Sequence, residues 1–289
     1  MIPVSKAVEK AREATFPGGL SQYRTPFSRE LEGKSFEFVM DDGSVLPVSF
    51  AARGKILITD GGKTLSAPIQ VQKAADGAYF VLAEIPESNP RTAYMFVIDI
   101  SERLVTEVLA KQGTVESFPN LVTREVRFGA YADAEGRLPE KRAGYTDDLI
   151  GKKIDWTYNP VFQIIHVYLP KNCYTVARNA EMMERMERMR RENPDAVPPR
   201  REGPYYEENC LYIKLRENLY LFSFVEKNSG SGTQGMMIIN TDRVTDVGCF
   251  WGSNRQNERE GYTFSAYGKW VREELPEDHT LEQVPKFQD

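Results

Sequence analysis

Short runs in which apolar and polar residues alternate recur along most of this chain, about every 10 to 12 positions. The segment "KSFEFVMDDGSVLPVSFAARGKILITDGGK" (34–63) is typical, and the signals DDG, DGG, ADG, NP and SGSG separate such runs elsewhere. A period of two sends successive side chains to opposite faces, so each run reads as a strand with one face buried. Strands this short and this evenly spaced predict antiparallel meanders or small barrels rather than βαβ units. Closing a sheet into a barrel also removes its exposed edges.

The pattern is written twice. "ELEGKSFEFVMDDG" (30–43) matches "DLIGKKIDWTYNPV" (148–161), with Gly33 answering Gly151. "MFVIDISERLVTEV" (95–108) matches "MMIINTDRVTDV" (236–247), with Asp99 answering Asn240, Arg103 answering Arg243 and VTEV answering VTDV. "GAYFVLAEI" (77–85) matches "NLYLFSFVEK" (218–227) more loosely, with Glu84 set against Glu226 across a gap. Three matches in one order indicate a duplicated unit. The second copy carries an insertion, "AEMMERMERMRRENPDAVPPR" (180–200), which reads as a charged, Met-rich helix near 180–193 ended by prolines.

The expected fold is therefore all-β, with two tandem lipocalin-like (calycin-type) antiparallel barrels, a short N-terminal helix and this one inserted helix. The boundaries read as an extension at 1–28, a first barrel with its linker at 29–146, a second barrel at 147–270 and a polar tail at 271–289. Within the linker, "LVTREVRFGAY" (121–131) reads as a strand that reaches across to the other unit.

Composition narrows the function. Of 289 residues, 41% are apolar and 27% charged, with net charge −5 and acids and bases intermixed. No basic patch is present for a polyanion, so nucleic acid is not an expected partner. No apolar run approaches the ~20 residues of a membrane helix, and "MIPVSKAVEKAREATF" lacks the basic-then-apolar plan of a secretory signal. Cys173, Cys210 and Cys249 are odd in number and far apart, which fits reduced thiols and a cytoplasmic setting. Without CxxC or HxxxH spacing no metal site is expected, and no cofactor motif is present.

The candidate chemistry lies in the second unit. "VFQIIHVYLP" (161–170) places His166 in the middle of a strand, in a chain whose other histidine, His279, lies in the polar tail. Alternation puts His166 on one face with Phe162, Ile164 and Tyr168, but the opposite face is equally apolar, so the pattern leaves the inward face open. In "IDWTY" (154–158), Trp156 and Tyr158 share a face opposite Asp155 and Thr157; in "YLFSFVE" (220–226), Tyr220, Phe222, Phe224 and Glu226 share one. If these faces line one barrel, His166 and Glu226 sit among aromatic rings, the usual make-up of a small-molecule site. Tyr174 and Tyr212 complete the expected lining. An imidazole, a desolvated glutamate and tyrosine hydroxyls suit acid–base chemistry. The plainer reading remains open: strand histidines are often core residues, Glu226 beside Lys227 resembles a turn charge, and aromatic stripes pack cores.

"DLIGKKIDWTY", "IIHVYLPKNCYTV", "ENCLYIKLRENLYLFSFVEK" and "MMIINTDRVTDVGCFWG" resemble the C-terminal half of the MoaF-like proteins, and "GKSFEFVMDDG" with "AYFVLAEI" resembles their first half. The resemblance implies tandem lipocalin-like barrels and favours the histidine face as the inner one. It puts the H-x-Y step on His166 and Tyr168, a cysteine on Cys210 and the E-K step on Glu226 and Lys227. The inserted helix and long tail depart from it. The resulting expectation is a cofactor-independent lyase or isomerase for a small aromatic or apolar molecule, with His166, Glu226 and Tyr168 catalytic. The alternatives are a carrier using the same interior, or a structural pair. The Met-rich helix is expected to serve as a lid or as a homodimer contact.

Overall fold

In a computed structural model of the chain, residues 20–160, 162–170, 173–177, 180–192, 206–207, 210–227, 231–254 and 257–272 are described. The expected N-terminal helix, His279 and most of the polar tail lie outside them.

Strands β1 (Ser35–Met40), β2 (Val45–Ala51), β3 (Lys55–Asp60), β4 (Lys63–Ala75), β5 (Ala78–Ile85), β6 (Arg91–Asp99), β7 (Leu104–Gln112) and β8 (Val122–Ala130) form a closed barrel. Each pairs antiparallel with the next, and β8 returns to β1 through Val39–Ala130 and Met40–Gly129. The linker strand thus closes the first barrel instead of leaving it. It touches the second unit at its start, where Val122 N donates to Gly232 O.

The second sheet contains β9 (Gly144–Tyr145), β10 (Lys153–Asn159), β11 (Phe162–Leu169), β12 (Cys173–Ala177), β13 (Tyr206–Glu207), β14 (Leu211–Arg216), β15 (Leu219–Val225), β16 (Gln234–Asn240), β17 (Thr245–Ser253) and β18 (Arg259–Trp270). Its order is β13-β12-β11-β10-β18-β17-β16-β15-β14-β9. The sheet curls into a half-barrel, and no ladder joins its two ends among the described residues. Tyr212 on β14 spans the seam instead. Its hydroxyl donates to Cys173 O (2.5 Å) and accepts from Leu169 N (3.2 Å), so a side chain supplies there what a ladder supplies elsewhere. The inserted helix, α1 (Ala180–Glu192), follows β12, and Arg185 Nη1 ties it to Pro160 O in the β10–β11 turn.

The two units repeat each other down to their turns. Gly33 N donates to Phe50 O and Gly151 N to Tyr168 O, both glycines having positive φ that a side chain would strain. Asp99 Oδ1 accepts from Ser101 N and Glu102 N; Asn240 Oδ1 accepts from Asp242 N and Arg243 N. The Asp99–Asn240 spacing (240 − 99 = 141) also pairs Gly77 with Asn218 and Arg103 with Val244, all four of positive φ. Arg103 therefore answers Val244 and not Arg243. Likewise Glu84 answers Val225, so it is not the counterpart of Glu226. The VTEV and VTDV stretches are out of step with the ladders.

Each sheet has an apolar inner face, and part of its outer face is buried against the other unit. The first barrel is filled by Phe38, Phe50, Phe96, Ile56 and Ile58. The second encloses Trp156, Tyr168, Phe222 and Phe264. Between the units, Phe80, Met95 and Val108 of the first pack against Leu221, Met236 and Trp251 of the second. A polar strut crosses this junction. Arg91 grips Glu84 through two bonds (2.7 and 2.8 Å), lies 4.6 Å over the Trp251 ring and donates to Gly252 O and Glu260 O. No helix among the described residues is long and apolar enough to cross a membrane.

Candidate functional site

The ladder of β10 with β11 pairs Ile154 with His166 and Trp156 with Ile164. It sends Ile154, Trp156, Tyr158, Ile164, His166 and Tyr168 to one face, which is the interior. The opposite face of β11, with Ile165, Val167 and Leu169, packs in a separate outer cluster. The His166 ring is 5% exposed, and its centroid lies 5.6 Å from that of Tyr174, 6.0 Å from Phe222 and 6.1 Å from Tyr168. Its Nδ1 is buried and has no hydrogen-bond partner among the described residues. Burial alone pulls its pKa down to about 3, so the ring is neutral at physiological pH.

The other expected site residues separate into three groups. Tyr174, Phe222 and Phe224 pack ring on ring around His166, with centroids 4.8–5.1 Å apart. Tyr212 and Tyr220 are committed elsewhere, the first to the seam and the second to Asp148 at the rim (3.0 Å). Glu226 lies just past the end of β15, half-buried, where Oε2 accepts from Ser231 Oγ (3.1 Å). The unpartnered Nδ1 of His166 means that Glu226 does not address this nitrogen.

A buried acid that the pattern did not single out completes the interior. On β17, Asp246 shares the inward face with Phe250, since Val247 and Cys249 face the other unit. It is 2% exposed. Ala266 N donates to its Oδ1 (2.7 Å) and the Tyr158 hydroxyl to its Oδ2 (3.3 Å). Desolvation outweighs both bonds and raises the carboxyl to about 8, so at neutral pH it is largely protonated. Burial also lifts the Tyr158 and Tyr168 hydroxyls well above their usual range. Among the described residues, the interior thus holds polar groups and no fixed charge. The available signal in the sequence was the alternation of "TDVGCF" (245–250), which sets Asp246 with Phe250.

The duplicated unit shows which of these groups a barrel of this kind does without. The ladders set Val48 at the His166 position, Phe50 at that of Tyr168 and Val105 at that of Asp246. The polar groups within the first barrel are paired among themselves. Arg127 binds Glu107 through two bonds (2.7 and 2.9 Å) and reaches Asp60 at 3.4 Å, and Tyr94 donates to Asp60 (2.9 Å). Among the described residues, no group of three or more His, Cys, Asp or Glu side chains is arranged to hold a metal ion.

The two perturbed groups predict an unusual stability profile. Asp246 folds with a raised pKa, so its contribution is present below its unfolded value of 3.8 and is lost as pH rises toward 8. His166 folds with a lowered pKa, so its contribution is lost as pH falls from 6.5 toward 3. The slopes oppose each other between these limits, and above 6.5 only Asp246 remains. Unfolding free energy should fall by about 2 kcal/mol from pH 6.5 to 8, at about 1.4 kcal/mol per unit. Denaturant titrations should show that decline largely absent in Asp246→Asn; an equal decline in the variant would contradict the assignment.

Comparison with known proteins agrees with the fold. Residues 14–113 match the family model for the MoaF N-terminal domain, a stretch that includes β1–β7 of the first barrel. Over 134 residues, 46% of this chain, the sequence is 31% identical to Protein MoaF of Klebsiella aerogenes. That alignment covers 42% of the relative, so the chain spans less than half the length of the protein it matches. The chain is thus similar to the MoaF proteins, through the match of residues 14–113 to their N-terminal domain and the partial alignment with one of them.

Proposed function

We propose that the second unit binds a small, uncharged aromatic molecule carrying a hydroxyl group, with neutral His166 as its hydrogen-bond partner. The observation that supports this reading is the buried, unpartnered Nδ1. An unsatisfied buried polar atom costs about 1–3 kcal/mol, and the duplicate avoids that cost with Val48. A hydroxyl donates and accepts, so it suits either imidazole tautomer. The surrounding rings of Tyr174, Phe222 and Phe224 favour an aromatic ligand. A cytoplasmic setting belongs to the same reading, supported by three buried cysteines that are not disulfide-bonded.

A second reading, an acid–base lyase or isomerase acting on the same molecule, is favoured by Asp246, a protonated carboxylic acid at neutral pH. In it Asp246 replaces Glu226 as the acid, and His166, a weak base at about 3, orients the substrate.

Thermal denaturation with 4-ethylphenol and ethylbenzene tests the first reading. The phenol should raise Tm in proportion to the logarithm of its concentration above Kd, and more than ethylbenzene does. His166→Phe should abolish the difference. Equal shifts from the two compounds, or none from either, would overturn the reading.

A further inference from the structure

Tyr168 is the second polar group of this interior whose hydrogen-bonding capacity is only partly used. Its side chain is fully buried, and its oxygen accepts from Trp156 Nε1 (3.2 Å). An indole N–H can only donate, so this bond leaves the Tyr168 hydroxyl hydrogen unspent. No acceptor receives it among the described residues. Accepting from Trp156 polarises the hydroxyl and makes it a better donor. The first barrel has Phe50 at this position, so the duplicated fold closes without a hydroxyl here.

His166 and Tyr168 are alternate residues on one strand and face the same way. Their backbones are therefore ~6.6 Å apart, and their ring centroids lie 6.1 Å apart. Among the described residues, no countercharge is available at either end, since His166 is neutral and Asp246, which acts on Tyr168, is largely protonated.

Resting on the binding reading above, we propose that Tyr168 determines which molecule is taken. The ligand is an uncharged hydroxyaryl carbonyl compound, its hydroxyl on His166 Nδ1 and its carbonyl oxygen accepting from the Tyr168 hydroxyl. Trp156 acts as a positioning residue that holds the tyrosine oxygen in place. Simple alkylphenols occupy the same interior with one bond fewer.

Calorimetric titration with 4-hydroxyacetophenone and 4-ethylphenol tests this, because the two have nearly the same shape and differ in the carbonyl. The native protein should bind the ketone about tenfold more tightly, the effect of one net hydrogen bond. Tyr168→Phe should lose the preference and bind the two equally. Trp156→Phe, read alongside it, should lower the ketone preference in part, which distinguishes positioning from contact. Equal affinities in the native protein, or a ketone preference that survives in folded Tyr168→Phe, would overturn the assignment while leaving phenol binding intact. If neither compound binds, the binding reading itself fails, and this one with it.

Discussion

Arg127→Ala is expected to lose about 3–5 kcal/mol of stability, the usual consequence of removing one partner from a buried ion pair. Glu107 has no exposed surface, and burial raises its carboxyl even against the guanidinium bound to both its oxygens. Without Arg127 that carboxyl must stay charged and unpaired or take up a proton. Either state weakens the fold as pH rises. Asp60 and Tyr94 offer no replacement cation. The double variant Arg127→Met/Glu107→Leu should recover most of the loss, because an apolar pair of similar volume removes both desolvation costs. The second unit already has such a solution, with Gly248 opposite Phe264 where the first has Glu107 opposite Arg127. Denaturant unfolding of the three proteins measures this; a loss under about 1 kcal/mol for Arg127→Ala would show that the pair is better solvated than its burial implies.

Gly248→Ala is expected to cost about 3 kcal/mol or more, at or beyond the upper end for overpacking. A Cβ there would stand 1.9 Å from Met236 O and 3.0 Å from Met237 Cα. Those atoms belong to the paired strand β16, so relief requires the β16–β17 ladder to move. That ladder also positions Asp246 opposite Ile239, so the phenol binding we propose should weaken along with stability. Gly144→Ala is the matched control: a methyl added there would meet nothing within 4 Å, and the change should stay within about 0.5 kcal/mol. Comparable melting temperatures for Gly248→Ala and the native chain would show that the sheet yields more easily than a paired backbone should.

The architecture was legible because alternation is a local property. Runs such as "SFEFVM" and "YLFSFV" announce strands, and Gly33 and Gly151 mark one turn in both copies. Register was less so. VTEV and VTDV look like equivalent positions, yet hydrogen bonding aligns Asp99 with Asn240 and leaves those stretches out of step. Strand spacing implies complete closure of both units, but the second sheet meets across its seam through Tyr212. On β11 both faces are apolar, so only packing against Tyr174 and Phe222 establishes the inward side of His166. Asp246 escapes the pattern because an acid next to a turn reads as solvated. Desolvation is set by neighbours brought from β10 and β18, far away in the chain.

His166 is neutral, enclosed and, among the described residues, short of one hydrogen bond, and we propose that a ligand supplies it. Nitrogen-15 NMR of the imidazole, assigned by comparison with His166→Phe, tests it directly. The ring should stay neutral from pH 7 down to at least pH 5, and its Nδ1 resonance should move with 4-ethylphenol but not with ethylbenzene. A ring that titrates near 6.5 and ignores the phenol would contradict it.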